Sequence, residues 1–230
     1  MKGLFNPDGA VMRALSDLST LVFLNALTGL FCIPVVTAGA SFAAMHYVIM
    51  DMIEDKGGPV IPEFRKRFKE NLKNATPVWL IIMAAALLLF TDYRIIEGGK
   101  LGLPKLMLIP IYAAIFMLIA VYVYVMPLTA KFVLSTRAAF KNAVILAIAY
   151  LPKTFLMIAI SVVIPFVLLN SMMLLPLFFL IGLSLPAYFC ALVYLPIIEE
   201  MQRSKGETEK GETEGEISSE LKDDIKEREE

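Results

Sequence analysis

Residues 106–133, LMLIPIYAAIFMLIAVYVYVMPLTAKFV, decide the fold. No charged side chain interrupts the stretch from Leu106 to Ala130, and about 20 helical residues cross a hydrocarbon core. Inside lipid every backbone polar group needs an internal partner, so such a run is either a helix or a strand of a closed barrel. A barrel strand alternates lipid-facing and lumen-facing residues, and this run does not.

Working outward, residues 18–36, 77–93, 154–170 and 172–198 repeat the pattern. Residues 38–53 are shorter and include His46 and Asp51, which leaves open a half-helix, an interfacial helix or a short crossing. The chain is 58% hydrophobic with a mean hydropathy of +0.70, which no soluble core of its length requires. The expected fold is all-α. It is a polytopic transmembrane helix bundle of five long spans plus one short or broken segment, with a cytoplasmic amphipathic helix. Residues 1–202 form the membrane domain and 203–230 a tail.

Cationic loops resist translocation and mark the cytoplasmic side. Lys56, Arg65, Lys66, Arg67, Lys69 and Lys73 all lie between Ile53 and Thr76, so that loop is expected inside. By alternation residues 94–105 fall outside, 131–153 inside, the turn at Asn170 and Ser171 outside, and the C-terminus in the cytoplasm. If residues 38–53 cross, six spans put both termini inside; if they lie in the interface, five put the N-terminus outside. The first run is read as a span and not a cleaved leader, although Ala38-Gly39-Ala40 has the small residues of a cleavage site. Asp8, Asp17 and Asn25 do not suit a leader.

The tail carries six basic and eleven acidic residues and repeats Lys-Gly-Glu-Thr-Glu at 205–209 and 210–214. Too little apolar surface exists there to order it, so disorder is expected, with Ile217, Leu221 and Ile225 allowing a brief amphipathic helix. Cys32 and Cys190 sit in apolar runs and are read as buried thiols. No phosphate-binding loop, zinc-ligand spacing or catalytic constellation occurs, so no enzyme, metal or cofactor is expected and no nucleic-acid partner.

Between Ile61 and Ala75, apolar Ile61, Phe64, Phe68, Leu72 and Ala75 recur at helical spacing among Arg65, Lys66, Arg67, Lys69 and Lys73. One face suits anionic headgroups or a partner protein, and the other an apolar surface. Leu72-Lys73-Asn74-Ala75 is echoed by Phe140-Lys141-Asn142-Ala143. Arg137-Ala138-Ala139 with Leu151-Pro152 loosely resembles the ATPase-docking loop of sugar-type import permeases, without that loop's acidic residue and glycine.

Four stretches carry a family resemblance: Phe5-Asn6-Pro7-Asp8, Met12-Arg13, Ile33 through Ala40 and the basic run Phe64 through Lys69. Over about residues 3–80 the chain resembles the YesL family of bacterial membrane proteins. The resemblance implies a multi-pass protein of the bacterial cytoplasmic membrane without an established biochemical activity, often encoded beside carbohydrate-uptake or sugar-responsive genes. It supplies no catalytic residues.

Polar groups within apolar runs are the default places to look for function. Asn25 and Thr28 share a helix face and suit either interhelical bonding or a polar solute; His46 and Asp51 complete this candidate set. Asn6, Pro7 and Asp8 read as an entry turn, with Asp8 capping the first helix. Pro34, Thr37 and Gly39 read as a helix break. The functional expectation is an accessory or regulatory component of carbohydrate uptake, acting by binding and conformational coupling on transporter or sensor-kinase subunits, or as a homo-oligomer. Alternatives are an autonomous transporter of a small polar solute and a lipid-sensing bundle in contact with membrane lipids.

Overall fold

Long apolar runs punctuated by proline, glycine and charge fold here into helices alone. The computed structural model describes residues 10–98 and 105–203. Among them lie α1 (Ala10–Phe31), α2 (Ala38–Ile53), α3 (Val60–Asn71), α4 (Ala75–Glu97), α5 (Leu108–Lys131), α6 (Thr136–Ala149), α7 (Leu151–Asn170), α8 (Leu175–Ile181) and α9 (Ser184–Arg203). Two units meet at Val193 and Tyr194, inside α9; the second is described only as that helix's last turns. Six segments are long and apolar enough to cross a membrane, which fits a multi-pass membrane protein.

The short segment becomes the core. Of the most apolar stretch of Val35–Ile53, 61% is buried within the protein, against 17% for α4 and for α7. Small residues allow this: Ala38, Gly39, Ala40, Ala43 and Ala44 are all buried and let neighbouring helices approach closely. At Gly39 a side chain has no room, since a Cβ would overlap the Trp79 side chain and lie 2.8 Å from the Ala75 carbonyl.

Ring contacts give the register. Tyr93 meets Tyr112 at 6.2 Å and Trp79 meets Tyr122 at 6.3 Å, so α4 runs antiparallel along the first two-thirds of α5. Phe42 meets Tyr122 at 6.3 Å, and Glu54, just past α2, pairs with Lys131 at 2.9 Å. Hence α2 runs parallel to α5 beside its last third. It overlaps α4 only where each begins.

The break between α1 and α2 falls where Pro34 and Thr37 suggest. Pro34 opens a 3-10 turn at Val35–Thr37, the Thr37 hydroxyl lies 2.9 Å from the Phe31 carbonyl, and the Trp79 indole donates to the Val35 carbonyl at 2.8 Å. After α2 the chain turns through Asp55, at φ 53°, and α3 folds back with the amphipathic pattern expected of it. Its two phenylalanines pack inward: Phe64 is fully buried, and Phe64 and Phe68 lie 5.7 Å and 4.6 Å from the Phe31 ring, while Ile61 at the start of the helix is exposed.

Several boundaries differ from the hydropathy reading. The first helix covers residues 10–31 and not 18–36, because polar Arg13, Ser16 and Asp17 continue its helical pattern. The stretch 131–153 contains α6, whose Ala139, Ala143, Leu146 and Ala147 are buried. Its N-terminus is capped by the Ser135 hydroxyl. The run 172–198 is two helices, α8 and α9, because Gly182 and Leu183 interrupt it. The lysine–asparagine–alanine echo is no structural repeat, since Lys73-Asn74-Ala75 joins α3 to α4 while Lys141-Asn142-Ala143 lies within α6. The Asn6-Pro7-Asp8 turn and the tail from residue 204 fall outside the described residues.

Candidate functional site

The first intramembrane candidate, Asn25, reaches across the molecule. Its amide donates to the Phe179 carbonyl at 2.6 Å, and its oxygen accepts from the backbone N–H of Leu183 at 2.7 Å and of Ser184 at 3.3 Å. One amide thus supplies a donor and an acceptor where the α8–α9 ladder is interrupted, which low-dielectric surroundings demand. Thr28, one turn on, is fully buried; its carbonyl accepts from the Ser41 hydroxyl at 3.1 Å, and its own hydroxyl has no hydrogen-bond partner among the described residues. Asn25 and Thr28 share a face as expected. Asn25 is committed to holding the break.

Beside that break lies a cavity of about 140 Å³. Phe42, Met45 and His46 of α2 form one wall; Tyr122 and Val123 of α5 and Ser161 and Pro165 of α7 form others, and Gly182, Leu183, Pro186, Ala187 and Cys190 complete it. His46 is 7% exposed, a core position. The Ser161 hydroxyl and Cys190 thiol are 3.4 Å apart. No lysine, arginine, aspartate or glutamate lines the cavity. Nothing in the sequence pairs residues 42–46 with 182–190.

Past the end of α2 lies a charged cluster. Glu54 bonds Lys131 at 2.9 Å and Lys56 at 2.8 Å, and the Glu54 and Lys131 side chains are only 8% and 13% exposed. Burial by itself raises the Glu54 carboxyl, but the bonds from Lys56 and Lys131 outweigh it and hold the group below the usual carboxylate value. Arg67 bonds Glu63 at 2.8 Å, Glu70 at 2.9 Å and the Tyr47 hydroxyl at 2.7 Å, with its guanidinium 3.6 Å from the Tyr47 ring centre. Burial opposes its charge, yet these partners raise its pKa further. Asp51 is half-buried and feels Lys131 and Arg67. His46 therefore faces the cavity and Asp51 the charge cluster.

Of the five cations assigned to a partner surface, the structure separates one. Arg67 is occupied in fastening α3 to α2, whereas Arg65, Lys66, Lys69 and Lys73 are exposed. Both cysteines are free thiols; Cys190 is buried as expected, whereas Cys32 is only half-buried, beside the Pro34 break. Among the described residues no group of three or more histidine, cysteine and acidic side chains is placed to hold a metal ion.

Residues 20–93 match the model of a family described as "Protein of unknown function, DUF624". This is the YesL-like family, so over these residues the chain is similar to the family its N-terminal motifs resemble. The match covers α2 and α3 entirely and most of α1 and α4. No curated protein and no solved structure matches the chain.

Proposed function

We propose that this protein is an accessory or regulatory component of the bacterial cytoplasmic membrane, acting by binding and conformational coupling, with α3 as its partner surface. One observation carries the reading. Helix α2 walls the cavity with Phe42, Met45 and His46, while the adjacent Tyr47 takes the Arg67 guanidinium of α3 on its ring and hydroxyl. A shift of α2 that accommodates a change in the cavity is thereby transmitted to α3. Packed helices pass such shifts on because close-packed interiors deform poorly.

The cationic face supports a protein partner more than a lipid anchor. A helix that lies in the headgroups buries its apolar side in lipid, whereas Phe64 and Phe68 are packed on Phe31. Arg65, Lys66, Lys69 and Lys73 then form an exposed positive strip fitted to an acidic protein surface. The clustering of cations between Ile53 and Thr76 supports a cytoplasmic side for this strip and, by alternation of the later spans, for the C-terminus. The link to carbohydrate uptake, and to transporter or sensor-kinase subunits, rests on the family resemblance. A polar-solute path through Asn25, Thr28, His46 and the Pro34 break has less support, since Asn25 is spent on the α8–α9 break.

The test is recovery of partners from native membranes in mild detergent, with cells grown with and without complex carbohydrate. Wild-type protein is expected to bring down permease, ATPase or kinase subunits. A triple Arg65→Glu, Lys66→Glu, Lys69→Glu variant, made at the same level, is expected to lose them. Recovery unchanged by the charge reversal removes α3 as the partner surface, and recovery of the protein alone removes the accessory role.

A further inference from the structure

We propose that the cavity beside the α8–α9 break is a binding site for a small uncharged molecule with a six-membered-ring-sized apolar body and a hydroxyl that donates a hydrogen bond. Size comes first. A cavity of about 140 Å³ is close to the apolar cavities of about 150 Å³ that admit benzene. Its walls are mostly apolar: Phe42, Met45, Val123, Leu183 and Ala187 contribute no side-chain hydrogen bond. A sugar of the same volume would bring several hydroxyls and leave most unpaired, at a cost of a few kcal/mol each. The absence of acidic, lysine or arginine side chains from the lining excludes an ion by the same reasoning.

The hydroxyl is matched to the backbone. Pro165 lies inside α7 and has no N–H to give the carbonyl four residues back, which belongs to Ser161. Ser161 and Pro165 both line the cavity. One backbone acceptor is thus deprived of its usual helical donor, beside the Ser161 hydroxyl and Cys190 thiol. A ligand hydroxyl supplies what Pro165 withholds. The break itself is held by Asn25, and Gly182 is crowded by Phe178, so the concavity is built by specific contacts on both sides.

The site is tested on the full chain in nanodiscs by fluorine NMR, with 4-fluorophenol as probe, fluorobenzene as the apolar match and 4-fluoroanisole as the ring without a donor. Saturable 4-fluorophenol binding above that of empty nanodiscs is expected, with the two controls about tenfold weaker or worse. Ala187→Leu, which fills the cavity, and Pro165→Ala, which restores a donor to the Ser161 carbonyl, are each expected to weaken the probe by about tenfold. Pro165→Ala relieves a helix-interior proline and so keeps the test meaningful if Ala187→Leu fails to fold. Equal binding of all three probes, binding indifferent to Pro165→Ala, or no binding beyond the lipid background overturns the proposal. Binding is read on purified protein and partner capture on native membranes, so this inference and the coupling role fail separately.

Discussion

Asn25→Ala is the substitution with the most to say about this structure. It removes one donor, to the Phe179 carbonyl at 2.6 Å, and one acceptor shared by Leu183 and Ser184 at 2.7 Å and 3.3 Å. Leaving a buried polar group unpaired costs about 1–3 kcal/mol in protein interiors. Interhelical hydrogen bonds in membranes average nearer 0.6 kcal/mol, because the unfolded chain in lipid also finds partners. Two strong bonds at that lower rate give about 1 kcal/mol, and two stranded backbone groups at the middle of the range about 4. The expected loss is therefore about 2–3 kcal/mol, since Phe179 and Leu183 flank a break that no helical ladder can repair. Thr28→Val is the contrast. The Thr28 hydroxyl is fully buried without a partner among the described residues, so replacing it by a methyl is expected to be neutral or stabilising by up to about 1 kcal/mol. Trp79 is the single tryptophan and packs against Gly39, Phe42 and Tyr122, so its fluorescence reports unfolding in detergent titrations. Asn25→Ala within about 0.5 kcal/mol of wild type, or Thr28→Val as damaging as Asn25→Ala, would refute the reasoning.

Gly39→Val is expected to destabilise by about 2–3 kcal/mol, since its Cβ meets Trp79 and the Ala75 carbonyl; the same fluorescence titration measures it. Glu54 has a folded pKa below its ordinary 4.5, so its contribution is present above that value and lost as pH falls through the folded one. Unfolding midpoints of wild type and Glu54→Gln should therefore differ at pH 7 and converge toward pH 3; a constant difference would contradict the Lys131 pairing. Because α2 lies beside only the last third of α5, five helices are expected to cross. Arg13→Cys and Lys66→Cys should then react with an impermeant maleimide from opposite sides, and reaction from the same side would mean six crossings.

Much of the bundle was legible because lipid imposes a local rule. A run such as 106–130 satisfies its own backbone only as a helix, and that requirement needs no knowledge of neighbours. The Pro34 break was readable for the same reason, since a missing N–H is a property of one residue. Helix α6 was readable in principle from Ala139, Ala143, Leu146 and Ala147 at helical spacing. It was obscured because those residues sit between cations in a stretch too short to cross.

What the sequence by itself determined is therefore the helical class, the apolar stretches and the amphipathic basic helix, all consequences of local composition and periodicity. Tertiary structure alone decided that the short segment 38–53 is the buried core, because burial depends on which helices surround it. It decided that Asn25 serves a break more than 150 residues away, and that Arg67 is withdrawn from its four exposed neighbours by Tyr47, Glu63 and Glu70. Hydropathy is a property of a segment and pairing a property of two. The partner of a polar group is chosen in space, where residues 46, 122, 161 and 182 become neighbours around one cavity.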